Sequence, residues 1–401
     1  MSGIAIGAAC AIGSFLAACT LPGTLELLLL TIGGLLPARR QKRTSERELH
    51  RPGSIAIVIP AHNEEPSITA CVKSVLACDS TQDSFSVFVV ADNCNDQTAL
   101  RAQLAGAKAL VREDAAHRGK GYALDFAFQT LISDYELFIV IDADTTVTPN
   151  LVRDFATACM QGADSLQCRY KVRNADDSIR TRWMNIALMA FNVLRPRGRS
   201  RFGVSAGVLG NGFALTRATL EKVPYHATSV VEDLEYHLRL VRARLKVQFV
   251  DTVTVFGEMP ITGKGVLTQR SRWEGGRLRM MSQLAPALLH DLFRGQVRLL
   301  EPLLELSLLP LAFHATLLTL ALATPVPVVR EYTACALAIV LLHLLSAIAI
   351  GGGQWRDLLS LFSAPFYVVW KLKVIPELIR NAGKGTPWVR TARAESKGGV
   401  Q

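Results

Sequence analysis

The sequence predicts an α/β domain with a largely parallel sheet, set between apolar segments long enough to cross a membrane. Three observations carry this. Short β-branched runs alternate with helix-period segments between roughly residues 50 and 280. Long apolar blocks flank that stretch. The loops "PAHNEE", "ADNCND" and "DAD" follow apolar runs directly, which is where open α/β sheets bind ligands.

The chain has 401 residues, more than one compact core usually organises. Half are hydrophobic and 19% are charged, with a mean hydropathy of +0.25, against a charged fraction of about 25% in soluble domains. The expected organisation is a membrane anchor over 1–40, the α/β domain over 50–280, an interfacial helical region over 281–302, membrane or interfacial helices over 303–376, and a tail over 377–401.

Residues 3–36 are apolar apart from Glu26 and contain Pro22, so they form either one long helix or a pair broken at Pro22-Gly23. No basic stretch precedes them, which argues against a cleaved signal peptide. "SIAIVIP" (54–60) reads as a strand, and "EPSITACVKSVLAC" as a helix with Ile68, Val72, Val75 and Leu76 at helical spacing. "FSVFVVAD" (85–92) is the next strand, followed by the helix "DQTALRAQLAGA", the strand "KALVRE" and the helix "GKGYALDFAFQTLIS". "ELFIVIDAD" is a strand, and "TPNLVRDFATACM" a helix with Thr148 as N-cap and Pro149 at its first position. "SVVEDLEYHLRLVRARLK" is an amphipathic helix carrying Leu234, Leu238, Val241 and Leu245 on one face. Residues 303–323 and 332–350 are further apolar blocks, and 358–376, with Lys371 and Lys373, lies at the interface or re-enters it.

Arg39, Arg40, Lys42 and Arg43 follow the first anchor; Arg380, Lys384, Arg390, Arg393 and Lys397 follow the last. By the positive-inside tendency the domain faces the cytoplasm, in a chain threaded several times through the plasma (inner) membrane. These bases explain much of the +10 net charge. Beside apolar spans they suit anionic membrane lipids rather than nucleic acid. The eight cysteines form no CxxC pair and no zinc-like cluster, so reduced thiols are expected.

Each motif has two readings. In "DAD", Asp142 and Asp144 either share a hard cation such as Mg2+ or Mn2+, or make an Asx turn or helix cap. Asp92 ends a strand where it could accept hydrogen bonds from a base or ribose, whereas Asp96 reads as a plain N-cap. His62, Asn63, Glu64 and Glu65 form either a base-cradling loop or a solvated turn. Lys120 stands between two glycines at a helix start, suited to a phosphate or to an ordinary loop. Glu232 and Asp233 in a first helical turn either complement the helix dipole or supply a general base. Gln269, Arg272 and Trp273 share a helical face that could grip a diphosphate and a sugar, or anchor a basic helix at the membrane. Gly203, Gly207, Gly210 and Gly212 permit either close ligand approach or tight turns.

Taken in order, "VIPAHNEE", "VVADNCND", "RGKGYAL", "DAD", "VED" and "QRSRW" resemble the family 2 inverting glycosyltransferases of GT-A fold, in the membrane-embedded branch with the cellulose, chitin and hyaluronan synthases. The resemblance covers about residues 54–280 and implies a Rossmann-like nucleotide-diphospho-sugar transferase domain facing the cytoplasm. It implies that Ala61, His62, Glu64 and Asp92 line a uridine pocket and that Lys120 approaches the donor's phosphates. It also implies that Asp142 and Asp144 hold Mg2+ or Mn2+, with Asp144 the direct ligand, and that Asp233 is the general base. Gln269, Arg272 and Trp273 then serve the diphosphate and the acceptor. The implied reaction moves sugar from a UDP-sugar to a polysaccharide or oligosaccharide. The alternatives are a lipid acceptor, as in ceramide-type glucosyltransferases, or a silent nucleotide-binding subunit of a synthase complex. Val231 replaces the family's Thr before "ED", "LGNGFAL" stands where an "FxCGS" segment is expected, and no "FxVTxK" loop occurs. These departures bear on processivity, not on transfer.

Overall fold

The computed structural model describes residues 3–37, 52–79, 84–226, 231–261 and 263–372, leaving aside the side chains of 3–5 and 263–273. Its elements begin with α1 (Gly3–Leu35), β1 (Ile55–Ala61), α2 (Glu65–Leu76), β2 (Phe85–Asp92), α3 (Thr98–Leu104) and β3 (Lys108–Arg112). There follow α4 (Lys120–Leu131), β4 (Leu137–Val140), β5 (Thr145–Val147), α5 (Leu151–Met160) and β6 (Ser165–Val172). Next come α6 (Ile179–Met189), a π-helical segment (Ala190–Leu194), α7 (Arg195–Phe202), β7 (Phe213–Thr216), α8 (Arg217–Lys222), α9 (Glu232–Arg242) and β8 (Val247–Gly257). The chain continues through α10 (Gly263–Phe293), α11 (Leu300–Ser307), α12 (Leu311–Leu322), α13 (Pro327–Ile350), α14 (Trp355–Ser360) and α15 (Ala364–Leu372).

Two compact units result. One draws its described residues from Met1–Pro37, Met189–Gly198 and Leu267–Thr386, the other from Ala38–Leu188 and Arg199–Val266.

The second unit is built on one eight-stranded sheet of order β3-β2-β1-β4-β7-β6-β8-β5. The sheet is largely parallel, as expected, with two short strands reversed. β3, β2, β1 and β4 are parallel, as are β6 and β8, but β7 runs antiparallel to both β4 and β6, and β5 antiparallel to β8. β7 and β5 are four and three residues long, too short for periodicity to announce them or give their direction. The parallel half was legible because both its faces are covered, which demands continuous apolar strands. Ile55, Ile57, Ile59 and Ile139 pack on one face with Ile68 and Val72 of α2 and Phe155 of α5. Ala56, Val58, Phe138 and Val140 pack on the other with Leu124 and Phe128 of α4 and Tyr236 and Leu240 of α9.

Two caps differ from expectation. α5 starts at Leu151 with Asn150 as N-cap, not Thr148. Thr148 instead continues the β5–β8 ladder: its N–H donates to the Thr254 carbonyl at 3.0 Å, and its hydroxyl accepts from the Thr254 N–H at 3.1 Å. Pairing across the sheet outweighs the local capping preference. At α3 the N-cap position is Gln97, yet Asp96 still accepts from the Thr98 N–H at 2.9 Å, so the capping chemistry is displaced by one residue.

In the first unit, α1 is one continuous helix through Pro22, which settles the alternative of a broken pair. Among the described residues, two helices are long and apolar enough to cross a membrane, Ile6–Leu35 and Pro327–Ile350. The apolar block at 303–323 is divided between two helices. Val297–Ser307 and Leu311–Leu322 meet at 78°, making a third span only if the bent pair counts as one. Pro310 stands at the break; a proline there cannot donate to the preceding turn. Polar pairs tie these helices together: Thr24 Oγ1 to His314 Nε2 at 3.1 Å and to the Tyr332 hydroxyl at 3.1 Å, and Thr31 Oγ1 to His343 Nδ1 at 2.7 Å. Such bonds are worth on the order of 0.6–2 kcal/mol each between apolar helices. α10 is a single helix running through residue 280, where the sequence suggested a boundary. The eight cysteines are free thiols.

Candidate active site

The carboxyl ends of β1, β2 and β3 form the first part of the site. Parallel pairing sets Ala61 beside Ala91, and Asp92 beside Arg112. Asp92 is 4% exposed, and its Oδ1 accepts from Arg112 Nη1 at 2.6 Å and from Asn93 Nδ2 at 3.0 Å. His62 donates from Nδ1 to the Asp92 carbonyl at 2.7 Å. The carbonyl can only accept, so the contact fixes the imidazole tautomer. Asn63 and Asn93 have φ of 54° and 50°, a region asparagine tolerates better than most residues. Glu64 turns toward its own helix, its carboxylate accepting from Ser67 Oγ at 2.8 Å and its N–H donating to Thr98 Oγ1 at 2.8 Å. Ala61, His62, Glu64 and Asp92 thus lie together at the adjacent carboxyl ends of β1 and β2.

Arg112 is the residue the sequence reading missed here. It also donates to the His117 carbonyl at 2.8 Å and pairs with Asp114 at 3.0 Å, while the Asp114 N–H donates to Asn93 Oδ1 at 2.9 Å. The loop leading to Lys120 is therefore fastened to the same end of β2. An arginine closing a strand beside a strand-ending aspartate was the available signal.

The second part begins where β4 stops at Val140. Ile141 and Ala143 are buried in the core, whereas Asp142 and Asp144 are partly exposed. The run "VIDAD" therefore ends by alternation, with each carboxylate directed away from the apolar layer. Lys120 Nζ donates both to Asp142 Oδ1 and to the carbonyl of Gly210. Gly210, with φ +82°, lies against Asp233, and Asp233 Oδ1 accepts from the Leu234 N–H at 2.8 Å. Lys120, Asp142 and Asp233, scattered along the sequence, are brought together by this loop.

The loop is itself clamped by Gln167, a fully buried side chain that no motif or periodicity singles out. Its Oε1 accepts from the Leu209 N–H at 2.9 Å, and its Nε2 donates to the Asn211 carbonyl at 2.8 Å and the Gly212 carbonyl at 3.1 Å.

Charge in this cluster is not at its ordinary poise. Burial, then the neighbouring Asp233 carboxylate, pushes Glu232 up to about 7. Asp233 is raised as well, chiefly by burial, although the Leu234 N–H and Lys120 hold it back. Burial works against the Lys120 ammonium, but Asp142, Glu232 and Asp233 outweigh it and raise its pKa. A carboxylate whose pKa is raised in this way is suited to taking a proton.

Among the described residues, no group of three or more His, Cys, Asp or Glu side chains converges as a metal cage. The donor chemistry nonetheless fits a hard cation. Asp142 and Asp144 present two oxygen ligands, and Mg2+ or Mn2+ in phosphate-handling sites typically takes one or two carboxylates with the rest from substrate and water. Gln269, Arg272 and Trp273 fall within helix α10 at i, i+3 and i+4; their side chains lie outside the described residues.

A mixed sheet of this strand order, with an acidic pair just beyond its central strand, is of the GT-A-type α/β fold. The mannosyltransferase PcManGT of Pyrobaculum calidifontis, solved with GDP-Man and Mn2+, shares this fold at a TM-score of 0.54 and 16% identity, over 94% of this chain and 100% of that one. The chain belongs to Glycosyl transferase family group 2, whose family model matches residues 137–351. It is 27% identical over 231 residues to the probable glycosyltransferase YdaM of Bacillus subtilis, covering 55% of this chain and 54% of that protein. It is 25% identical over 235 residues to a β-monoglucosyldiacylglycerol synthase of Nostoc, covering 57% and 50%. The chain spans about half the length of the curated relatives it matches.

Proposed function

We propose that this protein is an inverting glycosyltransferase that moves a sugar from a nucleoside-diphosphate sugar, a UDP-sugar in the first instance, to an acceptor hydroxyl at the cytoplasmic face of the plasma membrane. The observation that carries the reading is the cluster in which Lys120 bridges Asp142 and Gly210 while Gly210 abuts Asp233. It gathers a lysine ammonium, the Asp142 carboxylate and the Asp233 carboxylate of raised pKa around one loop, which supports roles for them in holding the diphosphate and taking a proton.

In this mechanism Asp92, held by Arg112, and His62 receive the base and ribose. Asp142 and Asp144 would hold Mg2+ or Mn2+, as the bound Mn2+ of the Pyrobaculum enzyme supports; such an ion, when bound, offsets charge on the departing nucleotide. Lys120 adds a positive charge at the phosphates. Asp233 takes the proton from the acceptor hydroxyl as it attacks the anomeric carbon from the face opposite the nucleotide. Arg272 and Trp273 are assigned to the leaving group and the acceptor.

The acceptor follows from chemistry near a membrane. A lipid hydroxyl is the reading that the β-monoglucosyldiacylglycerol synthases support. A growing β-linked polysaccharide, with or without partner subunits, is the second, supported by the ordered motif set. Purified protein incubated with labelled UDP-sugars and either diacylglycerol vesicles or oligosaccharides decides between them. Partition of label into solvent-extractable lipid supports the first, and polymer the second. No donor-dependent release of nucleoside diphosphate with any sugar nucleotide would overturn the assignment.

A further inference from the structure

We infer that Asn211 is a positioning residue for the acidic pair: one end of its amide fixes the backbone of Asp142, and the other orients the Asp144 carboxylate through the hydroxyl of Thr145. The inference rests on the proposal that Asp142 and Asp144 hold the cation.

The antiparallel register of β4 and β7 brings these groups together. Val140 stands opposite Phe213, and extending the register by two residues sets Asn211 opposite Asp142. Asn211 is 1% exposed and Thr145 is fully buried. The Asp142 N–H donates to Asn211 Oδ1 at 3.1 Å, Asn211 Nδ2 donates to Thr145 Oγ1 at 2.9 Å, and Thr145 Oγ1 donates to Asp144 Oδ1 at 3.2 Å. The direction of this relay is forced. An amide nitrogen can only donate, so the threonine oxygen must accept there, and its single proton is left for the carboxylate.

The relay is also anchored. Gln167 holds the carbonyls of Asn211 and Gly212, and the Gly212 N–H donates to the Val140 carbonyl at 3.1 Å. Gly210, the neighbour of Asn211, is the residue that receives Lys120 and touches Asp233. One short loop therefore sets the acidic pair on one side and the base on the other. Outer partners that orient ligating carboxylates typically affect metal affinity about 10–100-fold.

The test measures Mn2+ binding to the purified full chain, by loss of the free-ion paramagnetic resonance signal, with UDP and separately with GDP present. Thr145→Val keeps the side chain's shape and removes only the hydroxyl. It should weaken Mn2+ about 10–100-fold, Asn211→Ala should weaken it at least as much, and Thr145→Ser should restore it. Asp144→Ala is the reference. If Asp144→Ala weakens Mn2+ binding while Thr145→Val and Asn211→Ala leave it unchanged, the relay is overturned and the cation proposal stands. If Asp144→Ala itself has no effect, the cation proposal fails and the relay with it. Thr145→Ser behaving like Thr145→Val would also overturn the relay, because the hydroxyl would then not be the operative group.

Discussion

Gly210 is packed against Asp233: a β-carbon at Gly210 would lie 3.0 Å from Asp233 Oδ2, on a backbone whose φ is +82°. Gly210→Ala therefore displaces the proposed base and strains the loop together. Misplacement by about 1 Å can cost on the order of 100-fold in rate. A fall of that size in kcat, with the donor KM little changed, is the expected result. An unchanged kcat in a steady-state assay would show that Asp233 does not need this wall.

Asp233→Asn retains the shape but cannot take a proton. Transfer should drop by about 10²–10⁴-fold, while nucleoside diphosphate binding, measured by calorimetry, stays as in the parent. Full transfer by this variant would remove Asp233 from the base role and turn attention to Glu232.

Glu232 makes stability depend on pH. Its ordinary value is 4.5 and the folded protein raises it to about 7. Between those values the folded chain binds a proton that the unfolded chain has released, so this group's contribution falls as pH rises through that window. Glu232→Gln has no such group. Its melting temperature, followed across the same window, should decline less with pH than the parent's, and parallel profiles would refute the assignment.

Arg112 and Asp92 form a pair whose side chains are 10% and 6% exposed. Removing one partner of a buried pair typically costs about 3–5 kcal/mol because the other charge is stranded. Arg112→Met should lower the melting temperature more than the double variant Arg112→Met with Asp92→Asn. Additive losses across that cycle would mean the two residues act independently.

The residues proposed for the site could be picked out along the chain because their surroundings are local. "FIVIDAD" announces a strand and then carboxylates beyond it, and "GKGYAL" announces a helix start with a lysine. Thr148 misled because a local cap signal was outweighed by its ladder with Thr254. The bend within residues 303–323 was not legible, because apolar composition does not reveal a break at Pro310. Arg112, Gln167 and Asn211 carried little signal, since what they do is defined by partners 20, 44 and 69 residues away.

The sequence by itself determined the parallel half-sheet, the long apolar segments at 3–36 and 332–350 and the inventory of acids and bases, because hydrophobic periodicity and length are properties of a segment. Only the tertiary structure decided that β7 turns back antiparallel beside β4. That pairing carries Gly210 and Asn211 to the acidic end and gathers Lys120, Asp142 and Asp233 around one loop. Strand direction and cross-strand register arise from contacts between distant segments, and no local pattern of residues encodes them.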